Sequence, residues 1–222
     1  MQQAKPALKA FGKSILVVIW FYMASMLVGN ILGQLCGSEQ RYIQLMEVHS
    51  NLVSILIYCV IFAGIYLLDK ERDDFFISFK RLNLKAIGTY FMMGIGAYII
   101  GIIITNLLIG FFPEYNEIAD SFNQYEPLLR FIAMVILPPI VEEYLFRYKI
   151  QSYLKEGFGI PIAIIGQALL FGMLHHYIVQ KIYAFILGVL FGYLREKKGT
   201  IQCSIWMHMT VNGLGWLAGV LL

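Results

Sequence analysis

The stretch ILPPIVEEYLFRYKI, residues 136–150, places two adjacent carboxylates, Glu142 and Glu143, and a guanidinium, Arg147, between apolar runs. An acidic or basic side chain at the centre of a membrane-spanning helix costs about 2.5–3.5 kcal/mol on a translocon scale. A charge kept at that cost has a partner or a task. Pro138 and Pro139 precede the charges, and neither carries an amide hydrogen. The helix is therefore expected to break or kink there and to restart near Ile140. Irregular backbone at membrane depth is tolerated where it is buried in protein or lines a water-filled cavity. The stretch thus predicts a kinked helix beside water, inside a membrane bundle.

The rest of the chain agrees with that setting. Of its 222 residues, 59% are hydrophobic and 14% are charged, against about 25% charged in soluble domains. Seven apolar stretches approach the roughly 20 residues needed to cross a bilayer: 14–35, 50–68, 86–112, 128–150, 158–177, 178–194 and 201–222. The fold class is all-α, a polytopic bundle forming one integral membrane domain over 1–222. Within it 1–112 reads as scaffold and 128–222 as the helices that carry chemistry. The first run is too long for a signal-peptide core and reads as a retained span. A tight turn is expected at His176–Lys181, between the fifth and sixth spans. Gly188 with Gly192, and Gly215 with Gly219, have the spacing that lets helix backbones pack closely.

Basic residues cluster before the first span, between the second and third, after the fourth, and between the sixth and seventh; only Arg41, Arg130 and Lys181 fall on the other side. The segment 113–126 holds acids and no base, as an outside loop does. By the positive-inside rule the N-terminus is in and the C-terminus out, in a membrane read as the bacterial cytoplasmic membrane. A net charge of +3 gives no support to nucleic-acid binding. Cys36, Cys59 and Cys203 are scattered without a CxxC pair and read as packing thiols.

Three polar clusters stand out in the last four spans. Glu143 and Arg147, at i and i+4, share a helix face and can pair. Glu142 points about 100° away and lacks a local basic partner, which marks it for proton chemistry. Phe171 and His175 share a face, with His176 rotated off it; so do His208 and Asn212, with Thr210 off theirs. Singly, each cluster has a plain structural reading: charges in headgroup water, an interfacial histidine, a hydrogen bond gluing helices. Together they form a hydrolytic constellation. Glu142 acts as general base on a water, His175 holds that water, and His208 with Asn212 faces the developing oxyanion. No HExxH and no Ser–His or Cys–His spacing is present. Counting rise from the loops puts Glu142 and His175 at about 22 and 27 Å, but His208 only about 12 Å deep. Tilt, or a low start to the seventh helix, has to close that gap.

EExxxR at 142–147, FxxxH at 171–175 and HxxxN at 208–212 together resemble the motif set of the CPBP intramembrane protease family, which includes CAAX prenyl endopeptidases of the Rce type and bacterial Abi or bacteriocin-immunity proteins. The resemblance implies a helical bundle around a water-accessible cavity, and peptide hydrolysis by a glutamate-activated water. By motif position Glu142 matches the general base, His175 its partner, and His208 and Asn212 the oxyanion donors. Glu143, Arg147 and Phe171 match supporting positions. Because the family is also labelled metalloprotease, zinc held by Glu142, His175 and His208 stays an alternative. Asn212 and the missing HExxH favour the metal-free form. The implied partner is a membrane-associated peptide or protein, within the lipid bilayer. Two rivals remain: a proton-coupled transporter, and a non-enzymatic immunity or partner-binding protein.

Overall fold

A computed structural model of the chain describes residues 4–68, 75, 79, 82–112 and 127–221. The acidic segment 113–126 and most of the basic loop between the second and third spans lie outside the described residues. Among the described residues there is no strand and there are seven helices: α1 Ala4–Cys36, α2 Glu39–Leu68, α3 Leu84–Leu108 with a tight turn Ile109–Phe111, α4 over 127–158, α5 Ile160–Met173, α6 Ile178–Lys198 and α7 Gln202–Leu221.

Local sequence sets the ends. The Asn83 side chain accepts the Ala86 N–H at 2.8 Å and caps α3, an arrangement that satisfies one orphan donor of the first turn. Gly159 at φ 82° reverses the chain between α4 and α5, and Gly199 at φ 63° ends α6. Both positions lie in the left-handed region, where a side chain is costly. The fifth span is shorter than its sequence suggests: α5 has 14 residues and stops at Met173, because the backbone turns through the two histidines before α6 begins at Ile178.

The helices α1, α2, α3 with its terminal turn, and α6 are long and apolar enough to cross a membrane. The protein is an integral membrane bundle. The outer helices turn apolar side chains outward, as Leu8, Met26, Leu84 and Leu107 do. The opposite holds for α4, where Glu143, Tyr144, Leu145, Phe146, Arg147, Lys149 and Ile150 are all buried. That helix is the hub of the main core, packing on Val17 and Ala24 of α1, Ile61 and Ile65 of α2, Ala163 of α5 and Ile205 of α7. A second core joins Tyr90 and Ala97 of α3 to Leu187 and Phe191 of α6 and Met207 of α7.

Lipid removes most of the hydrophobic drive between helices, so close backbone approach and polar contacts hold such bundles together. A Cβ on Gly94 of α3 would lie 2.5 Å from Thr210 Cβ and 3.0 Å from the Met207 carbonyl of α7. A Cβ on Gly188 of α6 would lie 3.0 Å from Ala168 Cβ of α5. Gly188 and Gly192 therefore do act as packing residues, but Gly215 does not: nothing lies within 4 Å of the Cβ it lacks. That side of α7 faces a cavity.

The kink of α4 takes a gentler form than a break. Helical geometry persists from 127 to 158, and two wide turns, Ile132–Ile136 and Glu143–Ile150, flank the short segment Leu137–Glu142 that starts with both prolines. The Leu137 N–H reaches back five residues to Ile132. Widening the helix ahead of the prolines is a known way to absorb their ring clash without ending the helix.

Candidate active site

The wide turns of α4 bring three ionisable side chains onto one arrangement. Glu143 and Arg147 are fully buried and pair at 3.1 Å, as their i, i+4 spacing predicts. The guanidinium also lies over the Phe171 ring, 4.3 Å from its centroid, and 5.4 Å from that of Phe191. It is held by charge and by two ring faces, the geometry in which arginine exceeds lysine. Burial inside protein also removes the alternative in which these charges sit in headgroup water.

His208 of α7 closes the arrangement. Its Nδ1 lies 2.9 Å from Glu143 Oε1, and its Nε2 lies 3.7 Å from Glu142 Oε2. The two adjacent carboxylates, separated around the helix, thus face opposite edges of one imidazole. The depth gap in the sequence reading does not keep the groups apart: His208 reaches both carboxylates, and α7 is already buried from its first turn at Gln202, Cys203 and Ser204. A carboxylate only accepts, so contact with Glu143 places a proton on Nδ1. The other nitrogen then donates only from the doubly protonated ring.

Glu142 has a partner the sequence did not reveal. Tyr58 of α2 donates its hydroxyl to Glu142 Oε1 at 2.5 Å. The ring packs edge-on against Phe21 of α1, with centroids 6.3 Å apart. No motif marks this tyrosine, one of 14 in the chain. Helices α1–α3, read as scaffold, thus reach the site through α2, and α3 lines its cavity with Thr105 and Asn106.

His175 follows the end of α5. Its Nδ1 lies 3.2 Å from the Phe171 carbonyl, and the residue lines the cavity. Phe171 stands between the two imidazoles, its centroid 5.1 Å from that of His175 and 5.9 Å from that of His208. A cavity of about 650 Å³ brings Glu142, His175, His208 and Asn212 into one wall system.

Asn212 differs from its sequence reading in one respect. Its Nδ2 donates to the Met134 carbonyl of α4 at 2.8 Å. In a helix that carbonyl would take an N–H from residue 138 or, in a wide turn, from residue 139. Both are proline. The amide of α7 therefore serves a carbonyl that the Pro138–Pro139 pair orphans. An amide has a second N–H, which remains for the cavity.

Residues 124–214 match the family model described as type II CAAX prenyl endopeptidase Rce1-like. Over that segment the chain is similar to the Rce1-like CAAX proteases. The Rce1-like segment covers α4–α6 and α7 as far as Leu214, and with them all the candidate site residues except Tyr58. No curated protein and no solved structure matches the chain. As for zinc, no group of three or more His, Cys, Asp or Glu side chains among the described residues converges in a metal-holding arrangement. In the structure one nitrogen of His208 faces Glu143 and one oxygen of Glu142 accepts from Tyr58.

Proposed function

We propose that the protein is a glutamate-dependent intramembrane endopeptidase that cleaves a membrane-associated peptide without a metal. The observation that carries this reading is Glu142: a carboxylate on a cavity wall inside a membrane bundle, hydrogen-bonded by Tyr58 and 3.7 Å from His208 Nε2. A general base must sit within reach of the water it deprotonates, and the cavity beside Glu142 has room for that water and a peptide. The Tyr58 hydroxyl occupies one carboxylate oxygen and orients the group. His175 Nε2 holds the water from the other side.

Attack on the peptide carbonyl transfers the water's proton to Glu142 and develops charge on the carbonyl oxygen. The donors are the Nε2–H of doubly protonated His208 and the second Asn212 N–H, both fixed beforehand by contacts to α4. Preorganised donors of this kind are commonly worth about 3–4 kcal/mol each in the transition state. The proton held by Glu142 then passes to the leaving amine. Glu143 and Arg147 act through His208: Glu143 fixes its orientation and keeps a proton on Nδ1, while Arg147 neutralises Glu143.

The test is cleavage of a library of membrane peptides by purified wild type and Glu142→Gln, with bound zinc measured in the same samples. The glutamine variant is expected to fold, bind and not cleave. Equal cleavage by both forms overturns the general-base role. Stoichiometric zinc, lost on His175 or His208 substitution, overturns the metal-free chemistry. Flux of protons or solute without any cleavage points to a transporter, and protection that survives alanine at Glu142 and His208 points to an immunity protein.

A further inference from the structure

The cavity is one-sided. On α4 its wall uses Ala133, Met134, Pro138 and Glu142, all on the N-terminal side, and nothing from 143 to 158. On α3 it uses residues from Tyr98 to Ile109, the C-terminal half. On α7 it runs from His208 to Trp216, and on α6 from Gln180 to Phe191. The lining portions of all four helices lie toward the same end of the bundle, where Phe112, residue 127, the histidine turn and the C-terminus gather. The opposite end holds most of the basic residues, among them Lys5 and Lys9 of α1, Lys155 of α4, and Arg195, Lys197 and Lys198 of α6, while Arg41, Arg130 and Lys181 lie toward the cavity end.

Polar contacts tie the helices together at that basic end. Gln151 of α4 donates to the Gly192 carbonyl at 3.1 Å and to Glu196 at 3.0 Å. Lys155 pairs with Glu196 at 2.7 Å, and Arg195 contacts both Glu196 and Ser152. Gln167 of α5 reaches the Gly188 carbonyl at 2.8 Å. These bonds knit α4, α5 and α6 together, and the separate pocket at that end, lined by Lys5, Lys9, Lys13, Tyr153 and Glu156, shares no residue with the cavity.

The wall itself selects against charge. Among the described residues Glu142 is its only Asp, Glu, Lys or Arg side chain. Ser54, Tyr58, Thr105, Asn106, Gln180 and Asn212 supply neutral hydrogen-bonding groups among apolar ones. An extended peptide carries unpaired backbone amides and carbonyls that such groups satisfy, whereas an aspartate or glutamate side chain would meet no Lys or Arg, and a lysine would meet only the carboxylate needed as base.

From this placement we infer that the site is reached from the end opposite most of the basic residues, which the positive-inside rule assigns to the extracytoplasmic face. Its substrate class is an exported, uncharged peptide segment presented from that side, and not a chain tail presented from the cytoplasm. The substrate class rests on the proteolytic reading; the side of access does not.

Thiol accessibility separates the two. Gly101 and Gly215 line the cavity, and a Cβ at either meets nothing within 4 Å. With Cys36, Cys59 and Cys203 replaced, Gly101→Cys, Gly215→Cys and, at the basic end, Lys9→Cys are treated with a charged, membrane-impermeant methanethiosulfonate. Intact cells are compared with inverted membrane vesicles. The two cavity cysteines are expected to react at least about tenfold faster in cells than in vesicles, because a fixed charge crosses the bilayer poorly. Lys9→Cys should show the reverse ratio. Cavity cysteines that react only in vesicles, or from neither side while reacting in detergent, overturn the inference. Glu142→Gln in the same background leaves the labelling pattern unchanged, so failed proteolysis and failed access are read independently. If the access result holds, neutral exported peptides should be cleaved when supplied to cells, and cleavage only of peptides enclosed on the cytoplasmic side overturns the substrate class.

Discussion

The bond from Asn212 to the Met134 carbonyl gives a sharp test of how α4 is held open beside the site. Replacing Asn212 by alanine leaves that carbonyl without a donor, since residues 138 and 139 are both proline. Interhelical hydrogen bonds in membranes average only about 0.6 kcal/mol, because the unfolded chain finds other partners. A carbonyl with no helical donor of its own loses more, in the range of about 1–3 kcal/mol for an unsatisfied buried group. Partial access of cavity water brings the expectation to about 1–2 kcal/mol. Pro138→Ala restores an N–H four residues beyond Met134. In that background Asn212→Ala should cost about 0.5 kcal/mol or less, giving a coupling near 1 kcal/mol in the cycle. Unfolding by detergent titration of the four proteins measures it. If Asn212→Ala costs the same in both backgrounds, within about 0.3–0.5 kcal/mol, the carbonyl is not what the amide serves.

Tyr58→Phe keeps the ring against Phe21 and removes only the hydroxyl bonded to Glu142; hydrogen bonds to charged groups are worth about 1.5–3 kcal/mol. Cleavage should fall roughly 10- to 100-fold on that account, with thermal stability in detergent nearly unchanged, and unaltered kcat would remove Tyr58 from the site. Arg147→Ala strands the buried Glu143 carboxylate and should cost about 3–5 kcal/mol, while the double variant Glu143→Leu/Arg147→Met should recover much of that stability and still lack activity, because His208 loses its anchor; an active double variant argues against the positioning role. Gly94→Ala should loosen the α3–α7 contact by about 1–3 kcal/mol, whereas Gly215→Ala, with open space before it, should change stability by less than about 0.5 kcal/mol. Melting of the two variants side by side decides whether the close approach lies at Gly94.

Much of the arrangement was legible in the chain because each signal is local. Hydropathy over about 20 residues finds helices in lipid, and i, i+4 spacing pairs Glu143 with Arg147 before any coordinates exist. The same spacing groups Phe171 with His175 and His208 with Asn212. Reading Pro138–Pro139 as a break or kink left the form of the disturbance open, since a widened turn needs no sequence signature of its own. Reading α1–α3 as scaffold missed Tyr58, because one tyrosine among many in an apolar span carries no local mark. Gly215 was grouped with Gly219 by spacing alone, and spacing does not tell a helix contact from a cavity wall.

The sequence by itself determined the helical membrane bundle, the side on which basic residues gather, and the identity of the polar groups that must find partners inside it. Only the tertiary structure decided which partners those are. His208 meets both carboxylates because α7 starts inside the bundle. Asn212 meets Met134 because two prolines withdraw the donors that carbonyl would otherwise take. Glu142 meets Tyr58 because α2 crosses α4 at that level. Each of these contacts joins residues 65 to 84 positions apart. The physical reason is the same throughout: periodicity fixes the face on which a side chain lies, but its depth and its neighbour depend on where each helix starts and how closely it packs.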